Sequence, residues 1–136
     1  MAVTALDADR VEDADSDVIA LTIPASIRFV RLARIGAASI ARRRGLSVRA
    51  IDDLRLAIDE TFGLILGDED RAGSVDVTYE VDAHELVVLV RQQLDDGPLA
   101  VDAERVVSFE VVIDDLVDRF EADPELGVVQ FTKALG

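Results

Sequence analysis

Residues 48–66 constrain the fold more than any other stretch. Val48, Ile51, Leu54, Ile58, Phe62 and Ile65 recur every three or four positions. At 100° per residue they form one apolar face, which predicts a long helix that must be buried against a second element. Ser47 precedes it as a cap and Gly67 ends it. A narrower stripe, Leu56, Glu60 and Leu64, sits one helical turn apart on another side. The helix is therefore expected to be covered on two sides, with a single carboxylate between two leucines. Asp52, Asp53 and Asp59 read as its solvated edge, since two carboxylates sharing a face are not by themselves a metal site.

The covering element is written further on. Residues 74–82 alternate, with Val75, Val77, Tyr79 and Val81 against Asp76, Thr78 and Glu80, which predicts a half-buried strand. A short turn, Asp82-Ala83-His84, leads into E-L-V-V-L-V-R-Q at 85–92 and makes a hairpin. His84 reads as a turn residue. Residues 17–23, D-V-I-A-L-T-I, predict a first strand, closed by Pro24. Residues 25–44 predict the first helix, with Ser26 as a cap and Gly45 at its end. Phe29, Leu32, Ala33, Gly36, Ala37 and Ile40 share its core face. Ile27, Arg28, Arg31, Ile35, Ala38 and Arg42 share the opposite one. The apolar sector of 103–120, from Val106 to Phe120, predicts a third helix, broken at Asp123-Pro124. Gly127–Leu135 predicts a last strand. The order β-α-α-β-β-α-β implies an α+β two-layer sandwich, one sheet with helices on one face.

The chain has 136 residues, which suits one domain at 17–136 preceded by an acidic tail, residues 1–16, expected to be disordered. The tail lacks the basic start and apolar run of a secretory signal. No apolar run approaches the roughly 20 residues that span a bilayer. With no cysteine, disulfides, thiolate metal sites and cysteine nucleophiles are excluded, in keeping with a cytoplasmic setting. The net charge of −14 argues against a nucleic-acid partner, but it is unevenly placed. From Val18 to Ile51 there are seven arginines and no acid, so that segment carries +7 and the remainder −21. A basic island on an acidic protein suits docking to an acidic partner; the competing reading pairs these arginines with the chain's own acids.

The run I-D-D-L-R-L-A-I-D-E-T, preceded by an arginine-bearing helix and followed by a hairpin, resembles anti-sigma factors of the serine-kinase type. These belong to the Bergerat-fold (histidine-kinase-like, GHKL) ATPases. The closing G-V-V-Q-F-T-K-A-L looks like that family's last strand. The resemblance implies a Glu-x-x-x-Asn motif on the second helix, whose Glu would activate a hydroxyl and whose Asn would hold Mg²⁺ beside ATP. Glu60 matches the Glu, but Leu64 stands where the Asn should be. It also implies an Asp-x-Gly-x-Gly motif after the third strand. Gln92 falls at the Asp position, and the displaced Asp95-Asp96-Gly97-Pro98 holds one glycine. The Gly-rich phosphate turn would fall near 104–109, where E-R-V-V-S-F has none.

The resemblance thus implies a degenerate member, a pseudo-kinase with no cofactor expected. It would bind a sigma factor, its antagonist, or both. Arg31, following Phe29-Val30, matches the family's sigma-contacting arginine; Arg28, Ile35 and Arg42 join it by helical geometry. Two alternatives stand beside this. One is an active serine kinase that uses ATP and Mg²⁺ with Glu60 as base. The other is a non-catalytic homodimeric signalling module with no sigma partner.

Overall fold

A computed structural model describes residues 16–135. Of the acidic tail expected at 1–16, residues 1–15 lie outside the described residues. Five strands, β1 (Asp17–Pro24), β2 (Gly73–Val81), β3 (Glu85–Leu94), β4 (Arg119–Asp123) and β5 (Val128–Ala134), form one sheet in the order β1-β2-β3-β5-β4. Every neighbouring pair is antiparallel. Three helices, α1 (Val30–Arg43), α2 (Val48–Leu66) and α3 (Ala103–Asp114), cover one face. The result is the expected two-layer α+β sandwich, compatible with a Bergerat-like fold.

Strand alternation sets the two faces. Val75, Val77, Tyr79 and Val81 of β2 join Leu86, Val88 and Val90 of β3 and Val129 and Phe131 of β5 in one core. Leu54, Ile58, Phe62 and Ile65 of α2 fill the same core, as their spacing predicted. The other sheet face is mixed: Val18, Ala20, Val87 and Leu89 share it with polar residues, with Thr22 donating to Asp76 at 2.7 Å and Arg119 pairing with Glu85 at 3.1 Å. Asp82 closes the β2–β3 turn by accepting from the His84 and Glu85 N–H groups at 2.7 and 2.9 Å.

Two expectations are corrected. The third helix ends at Asp114, and the residues to 120 are not helical. Val117 and Asp118 turn the chain, and Phe120 enters β4 opposite Phe131 of β5. Phe109 and Phe120 still meet, edge to face at 6.3 Å, but from a helix and a strand. Both belong to one core, so a single apolar sector had suggested a single helix. The actual order is β-α-α-β-β-α-β-β.

The second correction is the phase of the first helix. A 3₁₀ turn, Ile27–Phe29, precedes α1, with Ser26 capping the turn through the Arg28 N–H. The buried stripe of α1 is Val30, Ala33, Ala37, Ala38 and Ala41, so its core face is rotated from the one centred on Phe29 and Gly36. Ala38, placed on the basic face, is buried, and Leu32, placed on the core face, is 46% exposed. Small residues do let the sheet approach, as expected. Tyr79 Oη donates to the Ala33 carbonyl at 2.7 Å, and a Cβ on Gly36 would stand 2.7 Å from that same oxygen.

On α2 the second stripe is only partly covered. Leu64 is buried and Glu60 half-buried, but Leu56 is exposed. Val48, assigned to the main apolar face, is also exposed, because it opens the helix before the sheet is reached.

Candidate functional site

Two regions hold the candidate residues. The first is the outer face of α1. Arg28, Arg31, Ile35 and Arg42 are all exposed, and the phase correction adds Leu32, Ser39 and Arg43 to their stripe. Sequence spacing missed Leu32 because the larger Phe29 and Leu32 drew the core face away from the alanine stripe that is buried. Ile35 is 51% exposed and Ile27 lies in the preceding turn. The surface is thus apolar at its centre and cationic around it.

The arginines of this island divide into paired and unpaired. Arg34 pairs with Asp59 of α2 at 2.5 Å and ties the two helices together. Arg28 stands 3.8 Å from Asp70, donates to Ser26 Oγ at 3.3 Å, and lies over the Phe29 ring at 5.8 Å. Arg44 donates to the Asp82 carbonyl at the β2–β3 turn. Among the described residues the side chains of Arg31, Arg42, Arg43 and Arg49 have no hydrogen-bond or ion-pair partner. The self-pairing reading therefore holds for Arg28 and Arg34 and, among the described residues, not for the other five. Arg42 and Arg43 also sit in the last turn of α1, where cations complement the helix dipole.

The second region lies where α2, β3 and α3 meet. Glu60 is half-buried on α2, and one turn on Leu64 is 2% exposed, its hydrocarbon packed in the core. Gln92 on β3 is 6% exposed. Its amide Nε2 donates to the Ile65 carbonyl at 2.6 Å, and its Oε1 accepts the Leu99 N–H at 3.1 Å. Both functions of that amide are therefore committed to backbone. The carbonyl it satisfies is one of the last four of α2, which lack helical partners.

The eight residues 95–102 between β3 and α3 fold against this end of α2. Gly97, at φ +83°, forms a turn through its N–H to the Leu94 carbonyl at 3.1 Å, and the Asp95 N–H reaches the Ala72 carbonyl at 3.0 Å. Asp102 caps α3 by accepting from the Arg105 N–H at 2.8 Å, and the Arg105 guanidinium donates to the Gly63 carbonyl. Leu99 comes within 3.7 Å of a Cβ placed on Gly67. The chain's own connection thus lies over the α2 end.

A cavity of about 370 Å³ remains beside it, lined among others by Asp70, Arg71, Asp96, Gly97 and Leu99. Glu60, Leu64 and Gln92 do not line it. The carboxylates of the α2 edge are spoken for: Asp52 with Arg55 at 3.5 Å, Asp53 with Lys133 at 3.6 Å, and Asp59 with Arg34. Among the described residues no group of three or more His, Cys, Asp or Glu side chains is placed to hold a metal ion. None of their helices is long and apolar enough to cross a membrane.

No family model matches the chain. Two curated proteins do, both called serine-protein kinase RsbW, one from Listeria innocua and one from Listeria monocytogenes. Each is 35% identical over 79 residues, an alignment that takes in 54% of this chain and 49% of the relative. The chain thus spans about half the length of the curated relatives it matches. With the antiparallel sheet, the three covering helices and this partial identity together, the chain resembles anti-sigma factors of the serine-kinase type in both fold and sequence.

Proposed function

We propose that the protein is an anti-sigma-like regulator that binds an acidic surface of a sigma factor, or of that factor's antagonist, through the outer face of α1. It does so without phosphoryl transfer. The observation that carries the reading is the set Arg31, Arg42 and Arg43: exposed cations with no partner among the described residues, around Leu32 and Ile35. Arginine beside exposed aliphatic side chains is the composition of a binding hot spot, where a few anchors supply most of the affinity. Exposed guanidinium groups that the chain itself does not pair are free to meet the carboxylates of an acidic partner, where charge complementarity favours encounter and register.

The inference against kinase chemistry is supported by the second region. Magnesium needs oxygen ligands, and the position one turn after Glu60 offers the methyl groups of Leu64. At the position of the adenine anchor stands Gln92, 6% exposed and held by its amide to the Ile65 and Leu99 backbone, where the resemblance implies a free carboxylate. These residues do not fit a magnesium-bound nucleotide, so no catalytic step is assigned to Glu60.

The competing reading, an active serine kinase, is favoured by the names of both relatives, serine-protein kinases. Titration calorimetry with ATP and Mg²⁺ separates the two. Magnesium-dependent nucleotide binding supports the kinase. Its absence, together with capture of a sigma factor or antagonist from a panel of purified candidates, supports the regulator.

A further inference from the structure

We propose that copies of this chain associate through two different helix faces: the outer face of α3 on one copy docks on the outer face of α1 on another. The association itself does not rest on the functional reading above.

The first observation is the face of α3 that the fold leaves uncovered. Phe109 and Ile113 are the buried residues of this helix. On its opposite side, at 100° per residue, stand Glu104, Val107, Val111, Asp114 and Asp115. All five are exposed, Val107 at 57% and Val111 at 65%. The three carboxylates have no hydrogen-bond or ion-pair partner among the described residues. Asp114 and Asp115 close the C-terminal end of α3, where a carboxylate opposes the helix dipole. A cation brought to that end relieves an unfavourable contact.

The second observation is that α1 carries the complement of this pattern. Its outer face has Arg31 near the start, Arg42 and Arg43 in the last turn, and Leu32, Ile35 and Ser39 between them. The face of α3 has Glu104 near the start, Asp114 and Asp115 at the end, and Val107, Ser108 and Val111 between them. Arg31 to Arg42 and Glu104 to Asp115 are equally far apart in residues. At the rise of an α-helix both gaps are about 16 Å. Laid parallel, the single arginine meets the single glutamate and the arginine pair meets the aspartate pair. The aliphatic side chains meet between them, and the two serines let the helices approach.

The third observation is placement. α1 and α3 each pack against α2, and each turns its charged stripe away from its own buried side. The two stripes therefore face away from the core of one chain and meet only between copies. Because the faces differ, the contact is heterologous. The net charge of −14 repels copies at a distance. At about 0.15 M ionic strength the Debye length is about 8 Å, so that repulsion is screened far more than attraction between groups in contact.

The test is sedimentation velocity on the full chain at that ionic strength. Two faces of three turns make a small interface, so association is followed up to about 1 mM chain. The wild type should sediment faster as concentration rises. Arg31→Glu/Arg42→Glu/Arg43→Glu alone, and Glu104→Arg/Asp114→Arg/Asp115→Arg alone, should each weaken association at least about tenfold. An equal mixture of the two should regain it, since a native α3 face then meets a native α1 face. The α3 variant reduces the chain's −14 to −8, so its failure to associate is local and not a matter of net charge. A wild type that stays monomeric overturns the proposal. So does an α3 variant that associates like the wild type, or a mixture of folded variants that stays monomeric.

Amide shifts of the wild type on dilution give a reading that needs no variant. Amides of α1 and α3 should move together. Movement in α1 without α3 means that like faces meet, and movement confined to β1 or β4 means that sheet edges pair; either overturns the proposal. A docked copy covers Arg31, Arg42 and Arg43, so a captured sigma factor or antagonist should separate the copies. This consequence alone rests on the functional reading. If the partner binds and the copies stay together, the placement of that partner on α1 fails while the association stands.

Discussion

Gln92 and Gly127 occupy complementary space: a Cβ on Gly127 would fall 2.0 Å from Cγ of Gln92. Gly127 also accepts the Gln92 N–H at 2.8 Å through its carbonyl and holds φ at +66°. The glycine that opens β5 thus makes the room in which the Gln92 amide bridges Ile65 and Leu99. A Gly127→Ala substitution incurs about 1–2 kcal/mol for the left-handed backbone and pushes Gln92 off two buried backbone groups. We expect a destabilisation of about 2–4 kcal/mol and a fall in Tm on the order of 10 °C, measured by thermal unfolding. A change under about 1 kcal/mol removes the bridging role assigned to Gln92.

Burial pushes the Tyr79 phenol well above its ordinary pKa of about 10. The folded state keeps the proton that donates to Ala33, while the unfolded state releases it. The stability this linkage supplies is present below about pH 10 and is lost as pH rises beyond it, by up to about 1.4 kcal/mol per pH unit. A Tyr79→Phe variant lacks the term and gives up about 1 kcal/mol of hydrogen bonding at neutral pH. Urea unfolding from pH 8 to 11.5 should therefore show the gap between wild type and variant closing above pH 10. A constant gap places the phenol in contact with water.

These two sites also mark how far the sequence could be read. The β2–β3 hairpin was legible because Val75 to Val81 alternate and Asp82-Ala83-His84 offers a turn. α2 was legible because six apolar positions keep one period. β4 was not: Phe109 and Phe120 serve the same core from different elements, and apolarity does not record where a helix hands over to a strand. The phase of α1 was lost because its buried stripe is made of small residues, Ala33, Ala37, Ala38 and Ala41, while the larger Leu32 and Ile35 face outward. Position 92 could be matched to a motif by register, but the commitment of its amide depends on Leu99 and Ile65, which are remote in sequence. The partner-facing arginines were visible as a charge island; which of them stay unpaired depended on where Asp59 and Asp70 come to lie.

Leu64→Asn restores the side chain that the family resemblance implies, and it tests whether one residue accounts for the missing chemistry. Leu64 is packed in the core, so a polar amide there costs about 3 kcal/mol in lost packing and desolvation. Gln92 and the 95–102 connection remain in place. We expect a less stable protein that gains no magnesium-dependent ATP binding in calorimetry. Nucleotide binding by the single variant would show that Leu64 alone had closed the site.

Arg31 and Arg28 lie on the same exposed surface but differ in what holds them. Arg31 has no partner among the described residues, whereas Arg28 has Asp70 and Ser26. Arg31→Glu removes no contact within the fold and changes stability by less than about 0.5 kcal/mol. Against an acidic partner it replaces attraction with repulsion at an interface anchor, so a loss of at least about 30-fold in affinity is expected, the scale of a 2 kcal/mol hot spot. Arg28→Glu should weaken capture less, because its charge is already partly spent on Asp70. Both effects should shrink as salt is raised, since screening reduces the repulsion as well as the attraction. Binding to a captured sigma factor or antagonist, followed by surface plasmon resonance at two salt concentrations, reads all three quantities. If Arg31→Glu binds as wild type does while the protein remains folded, the docking surface lies elsewhere than α1.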